Sequence, residues 1–175
     1  MVASARERDH ADVTEQAAGI EPRAARVAEA IANQDAFFAD SFPGMLGVRI
    51  VEAGPGHCVA TLKVGSSVKH PGGYAHGGAL AGFGDTAAAW ATFPTLEEGE
   101  FFTTIEFKAN FITGVNGGNL RAEAKSVHRG RRTMVLEVHV TTDDDERRPV
   151  AMMIVTQAIL KTPGASGGEE VPPEG

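Results

Sequence analysis

The sequence contains a single cysteine, Cys58, among its 175 residues. One cysteine excludes an intramolecular disulfide and a metal site built from cysteine ligands, and it is typical of a reducing compartment. The remote histidines His10, His57 and His139 are scattered without the spacing of metal ligands. We therefore expect no metal and no other cofactor.

Basic charge is also scarce, and long apolar runs are absent. Sixteen Lys and Arg stand against 23 Asp and Glu, which gives a net charge of −7, and nucleic-acid binding needs a basic face. No run approaches the roughly 20 apolar residues of a membrane span. The N-terminal segment MVASARERDHADVTEQ lacks the apolar centre of a signal peptide. We expect a cytoplasmic protein with neither a nucleic-acid nor a membrane partner.

The most distinctive part of the sequence is the stretch over 70–93, HPGGYAHGGALAGFGDTAAAWATF. A glycine-rich loop leads into a helix over 79–91 that is apolar or small on every side except at Asp85, and such a helix is typically buried. A lone carboxylate there is costly and is a candidate for function. The first backbone N–H groups of a helix lack partners and favour negative charge. The stretch therefore predicts an anion-stabilising helix end and a buried carboxylate.

The rest of the chain has the patterns of short helices followed by strands. We predict a helix over 22–34, a helical turn over 35–42, and strands over 45–53, 58–64, 101–113, 120–128, 133–141 and 149–160. The first two strands would form a hairpin and the later strands a meander, in an antiparallel sheet that one helix covers in an α+β layer. The uncovered edge predicts edge-to-edge dimerisation.

A motif in the central stretch matches a known family. His76-Gly77-Gly78, with Asp85 nine residues after the histidine, resembles the pattern N-x-x-G-x-x-H-G-G-x(6)-D of the PaaI-like acyl-CoA thioesterases. Gly73 also matches, whereas His70 stands where the family has asparagine; histidine can donate a hydrogen bond but differs in size and charge. The resemblance covers roughly residues 40–161.

The resemblance implies a hotdog fold, in which an antiparallel sheet wraps around one long central helix. We expect an N-terminal, partly helical extension over 1–34, the hotdog domain over 35–161 and a disordered tail over 162–175. The expected activity is hydrolysis of an acyl-CoA thioester to a free acid and CoA. The expected assembly is at least a homodimer, and a tetramer formed as a dimer of dimers.

The expected catalytic set is Asp85, Gly77, His76, Thr104 and His70. The N–H of Gly77 would stabilise the oxyanion. Asp85 would act as general base for water or as a nucleophile that forms a mixed anhydride, and the sequence leaves both open. A structural carboxylate bonded to neighbouring backbone is the alternative role for Asp85. His76 would fix the loop.

The strand after the central helix, TTIEFKANF, resembles the family's strand that opens on Ser or Thr. Thr104 then corresponds to the residue that holds the attacking water. Simple alternation, however, places Thr104 on the face opposite Ile105 and Phe107. It reaches the site only if this end of the strand twists or lies at a subunit junction.

The basic cluster over 128–132, HRGRR, is the exception in an acidic chain. Arginine pairs well with phosphates, and the resemblance places this turn near the coenzyme. The expected substrate-binding set is Gly78, Gly73, Arg129, Arg131 and Arg132. A solvated hairpin turn is the alternative for the arginines.

Two other functions remain open on the same fold. A non-catalytic module that binds or senses acyl-CoA would have no need of a carboxylate beside an oxyanion donor. A dehydratase of this fold would pair a catalytic histidine with an Asp five residues later or with a Glu on the helix, and neither pairing is present in the sequence.

Overall fold

The computed structural model of the protein describes residues 25–162. The predictions for residues 1–24 and 163–175 lie outside this range. Helix α1 covers 25–32, within the predicted 22–34. The remaining elements are α2 (Gln34–Phe38), α3 (Phe42–Leu46), β1 (Val48–Gly54), β2 (His57–Lys63), α4 (Gly77–Thr92), β3 (Glu100–Phe111), β4 (Asn119–Arg129), β5 (Thr133–Thr142) and β6 (Pro149–Lys161).

The six strands form one antiparallel sheet in the order β1-β2-β4-β5-β6-β3. The sheet wraps around α4, which contacts all six strands. This confirms the predicted α+β hotdog architecture. The predicted meander of the last four strands is wrong, because β3 pairs with β6 at the edge of the sheet and β4 lies between β2 and β5. Phe83, Ala87 and Ala88 on α4 are fully buried. Gly84 has no room for a side chain, since a Cβ there would lie 2.2 Å from Sδ of Met153. The small residues of α4 thus let the sheet approach closely.

Helix α3 replaces the start of the predicted strand over 45–53. The Ser41 hydroxyl accepts a hydrogen bond from the Gly44 N–H, Pro43 lies in the first turn, and Gly47 ends the helix with φ 78°. A serine cap, an early proline and a left-handed glycine are the standard signals for a short helix. The strand therefore begins at Val48.

Cys58 is buried in β2, where the sequence predicted a packing role. Burial raises the pKa of its thiol to about 12, and the charge of Glu52 adds to the effect. A thiol held in the neutral form is a poor nucleophile and a poor metal ligand. None of the helices between residues 25 and 162 is long and apolar enough to cross a membrane.

The two edges of the sheet differ. At β1 the side-chain amide of Gln34 mimics a neighbouring strand: its Oε1 accepts from Ile50 N–H at 2.8 Å and its Nε2 donates to Ile50 O at 3.2 Å. Among residues 25–162, in contrast, strand β3 pairs only with β6, and its other edge is open. It carries exposed apolar side chains along its length: Phe101, Ile105, Phe107 and Phe111. An open apolar edge of this kind is suited to pairing with another strand.

Candidate functional site

The N-terminus of α4 presents the Gly77 N–H as a free and partly exposed backbone donor. His76 is the N-cap, and its Nδ1 accepts a hydrogen bond from the Gly78 N–H at 2.8 Å. Leu80 N–H already donates to His76 O at 3.0 Å. Among residues 25–162 neither the Gly77 N–H nor the Ala79 N–H forms a hydrogen bond, and Ala79 is buried whereas Gly77 is partly exposed. Of the two predicted glycines, Gly77 therefore keeps its donor available, whereas the donor of Gly78 is used by the cap.

The loop before α4 is shaped by His70. Its Nδ1 accepts from the Gly72 N–H at 2.9 Å, and its backbone O accepts from the Gly73 N–H at 2.9 Å. The ring packs so closely on Gly72 that a Cβ there would lie 2.6 Å away, and Gly73 has φ +86°. Nδ1 of histidine occupies the place along the side chain that Oδ1 of asparagine would have. His70, in place of the asparagine of the motif, therefore still provides a hydrogen-bond acceptor that stabilises the loop.

Gly77 lies against Phe111 at the far end of β3. A Cβ on Gly77 would meet the Phe111 ring at 3.1 Å. A side chain at this position would therefore need the exposed Phe111 ring to shift by a few tenths of an ångström. Strand β3 thus runs beside α4 from the level of Asp85, next to Thr104, to the level of Gly77, next to Phe111.

Asp85 is half-buried, not buried as predicted. It shares its face of α4 with four small residues that are also incompletely buried, namely Gly78, Ala81, Gly82 and Ala89. The sheet covers the opposite face, and this one is contacted by α3, through Phe42 and Leu46 against Gly82, and by the edge strand β3. The carboxylate therefore lies in an open stripe along the helix.

Thr104 reaches Asp85, contrary to the expectation from alternation. Its Oγ1 donates a hydrogen bond to Oδ1 of Asp85 at 2.8 Å. The pairing of β3 with β6 shifts between Thr104 and Glu106, so Ile105 is an extra, bulged residue. A bulge reverses the alternation beyond it. Thr104 and Phe107 therefore share the face that looks toward α4, and Ile105 is exposed instead.

The sequence analysis missed Gln157 on β6. Its Nε2 lies 3.4 Å from Oγ1 of Thr104 as a donor, and the side chain is fully buried. Within residues 25–162 its Oε1 has no hydrogen-bond partner. A lone glutamine at an inward position of the apolar strand PVAMMIVTQAILK was the available signal. Its significance depends on Thr104, which lies 53 residues earlier.

The structure does not bring Gly77 and Asp85 of one chain together. Both lie on the continuous helix α4, eight residues apart. At 1.5 Å per residue they are separated by about 12 Å along the axis. One chain therefore presents two separate features: a free N–H at the helix start and a carboxylate bonded to Thr104 further along.

The arginine cluster lies beyond the C-terminal end of α4. Arg129, Arg131 and Arg132 line a cleft of about 1900 Å³, with α1 and the ends of β1, β3 and β6 forming other walls. Arg129 Nη2 is 3.5 Å from Oε2 of Glu100, which begins β3. Thr104 follows four residues later, or about 13 Å along an extended strand. The arginine cluster therefore lies near the start of β3, apart from the Thr104–Asp85 pair.

Comparison with known proteins places this arrangement in a family. Residues 72–148 match the model of the Thioesterase superfamily. ComA2 of Bacillus subtilis is 32% identical over 117 residues, which cover 66% of this chain and 91% of that protein. The 1,4-dihydroxy-2-naphthoyl-CoA hydrolase of Listeria monocytogenes is 30% identical over 101 residues, 58% of this chain and 82% of that enzyme. The phenylacetic acid degradation protein PaaI of Thermus thermophilus superposes with a TM-score of 0.62 at 25% identity, covering 68% of this chain and 98% of that one.

Proposed function

The chain belongs to the Thioesterase superfamily, and from that premise we propose that it hydrolyses an acyl-CoA thioester to a free carboxylic acid and CoA. The observation that carries the proposal is the Thr104–Asp85 hydrogen bond of 2.8 Å on the open face of α4. A helix that only packs against a sheet has no need of an oriented carboxylate there. The cytoplasmic location expected from the sequence is part of the same proposal.

The reaction needs an oxyanion donor and an activated oxygen nucleophile. The Gly77 N–H would donate to the thioester carbonyl oxygen as it gains negative charge. Asp85 would either take a proton from water, whose oxygen then bonds to the carbonyl carbon, or attack that carbon itself to form an anhydride that water opens. In both routes the C–S bond breaks, and CoA leaves as a thiol after gaining a proton.

We place the reacting site between two subunits. A nucleophile must lie within about 3–3.5 Å of the carbonyl carbon, whereas Gly77 and Asp85 of one chain are about 12 Å apart along α4. Two antiparallel α4 helices across a two-fold axis would bring each Asp85 beside the partner's Gly77. The open edge of β3 and the small residues around Asp85 both suit this approach. We propose at least a homodimer, and a tetramer formed as a dimer of dimers.

A screen for thiol release tests the activity directly. Purified protein is offered aryl, short-chain and long-chain CoA thioesters, and the free thiol is followed colorimetrically. We expect turnover, with aryl thioesters highest, because this chain is similar in sequence to a relative named for a naphthoyl-CoA and in structure to one named for phenylacetic acid degradation. Binding without thiol release from any thioester would instead support the acyl-CoA binding module.

The arginine cluster should affect binding of the coenzyme more than turnover. We predict that Arg131→Ala with Arg132→Ala raises KM for acyl-CoA up to about tenfold and leaves a truncated pantetheine thioester nearly unchanged. Each charged hydrogen bond is worth about 1.5–3 kcal/mol when desolvated and less when exposed. Steady-state kinetics on both substrates measures the difference.

The matched control removes the same charge elsewhere. Arg147 and Arg148 lie in the turn between β5 and β6 and pair with Asp143 and Glu146. Replacing both with alanine should leave KM unchanged for either substrate. Equal losses on the full and truncated substrates in the cluster variant would contradict a phosphate role for the arginines.

A further inference from the structure

Gln157 is the polar exception on the inward face of β6. The inward positions of this strand are Ala151, Met153, Val155, Gln157 and Ile159, and all are at most 5% exposed. The pairing registers place Gln157 between Thr104 on β3 and Met134 on β5. A glutamine amide in such surroundings needs hydrogen-bond partners.

Gln157 has a partner for its donor but none for its acceptor. Nε2 points at Oγ1 of Thr104 at 3.4 Å, and in the described part of the chain nothing bonds to the buried Oε1. An unsatisfied buried acceptor lowers stability, and an apolar side chain of similar shape would avoid that loss. A gain in stability therefore does not explain why a glutamine lies at this position.

The direction of the hydrogen bonds indicates an effect of the amide on the Thr104 hydroxyl. A threonine hydroxyl has one proton and two lone pairs. When an amide N–H occupies a lone pair of Thr104 Oγ1, the hydroxyl proton remains free for Oδ1 of Asp85, 2.8 Å away. Without the amide the hydroxyl can rotate, and the carboxylate loses a fixed partner.

We propose that Gln157 is a positioning residue that orients the Thr104 hydroxyl toward Asp85, and so holds the carboxylate in its reactive direction. The proposal rests on the proposed hydrolase function. Gln157 acts through Thr104, so it affects the chemical step and leaves substrate binding alone.

The test is a double-mutant cycle with Gln157→Met and Thr104→Val, using the thioester that turns over fastest. We expect Gln157→Met to lower kcat about threefold to tenfold, as for the loss of one neutral hydrogen bond, with KM changed less than twofold. Its Tm should be equal or higher, since the unsatisfied Oε1 is gone. The double variant should have the kcat of Thr104→Val within about twofold.

Val155→Ala is the matched control on the same face of β6. It leaves a small cavity, so Tm should fall while kcat stays at the wild-type value. Unchanged kcat in Gln157→Met, or a double variant whose loss is the product of the two single losses, would overturn the proposal. So would a lowered Tm in Gln157→Met, which would assign the glutamine a structural role.

A failure of the hydrolase function can be separated from a failure of this proposal. If the wild type hydrolyses no thioester, urea unfolding of the same four proteins still measures whether Gln157 and Thr104 are coupled. We expect the midpoint shifts of the two single variants to be non-additive. Additive shifts would show that the amide does not act on the Thr104 hydroxyl.

Discussion

Asp85→Asn should lose about 10²–10⁴-fold in kcat, the usual contribution of general acid–base catalysis. The amide has nearly the volume of the carboxylate but can neither take a proton nor attack a carbonyl. Its Oδ1 can still accept the hydrogen from Thr104, so the 2.8 Å contact survives the substitution. The loss is therefore chemical rather than geometric. Steady-state thiol release measures it, and circular dichroism with a thermal melt verifies the fold.

A matched carboxylate provides the control. Asp40 lies in the loop between α2 and α3 with φ 56°, a backbone conformation that asparagine tolerates well. Asp40→Asn should keep wild-type kcat. Near-full activity in Asp85→Asn would refute the mechanism proposed here, and loss of its fold would favour the structural role for the carboxylate.

The central helix and the position of each strand along the chain could be predicted because their signals are local, whereas the pairing of β3 with β6 and of β2 with β4 could not, because it depends on contacts between distant residues. Each strand has its own alternation, and α4 is marked by an apolar run that begins after a glycine loop. Helix α3 had local signals too, in Ser41, Pro43 and Gly47, so the prediction of a strand from Met45 gave too much weight to apolar residues. The predicted start of the strand was wrong because these capping residues mark a helix that ends at Leu46.

The details of the site could not be predicted, because they depend on distant parts of the chain. The bulge at Ile105 has no sequence signature; it appears only when β3 is aligned with β6. Likewise, the contact of Gln157 with Thr104 joins residues 53 apart in the sequence and is visible only in the folded chain. The exposure of Asp85 follows from which face of α4 the sheet covers, and a helix that is small on all sides does not indicate that face.

Gly77→Pro should lose about 10²–10³-fold in kcat, the usual loss when one oxyanion donor is removed. Proline deletes the N–H and nothing else that α4 needs, since position N1 donates to no residue of the helix and accepts proline readily. His76 before it already has φ −72° and ψ 136°, the extended conformation that precedes proline. Gly77→Ala is the control: it keeps the N–H, touches Phe111 at 3.1 Å, and should keep most of the activity. A Gly77→Pro enzyme as active as Gly77→Ala would exclude this N–H as the oxyanion donor.

The two inactive variants together should restore activity if the site lies between subunits. Asp85→Asn and Gly77→Pro proteins are unfolded, mixed in equal amounts and refolded, so that about half of the dimers contain one chain of each. In such a dimer one site carries both lesions, and the other combines an intact Gly77 with an intact Asp85. Activity should therefore rise to about a quarter of wild type, measured by thiol release. If both residues acted within one chain, every site of the mixed dimer would carry a lesion. Heterodimers confirmed by native mass spectrometry without recovered activity would therefore show that the two residues do not act across the interface. Because about 12 Å separates them along α4 within one chain, they would then not act on one carbonyl at all.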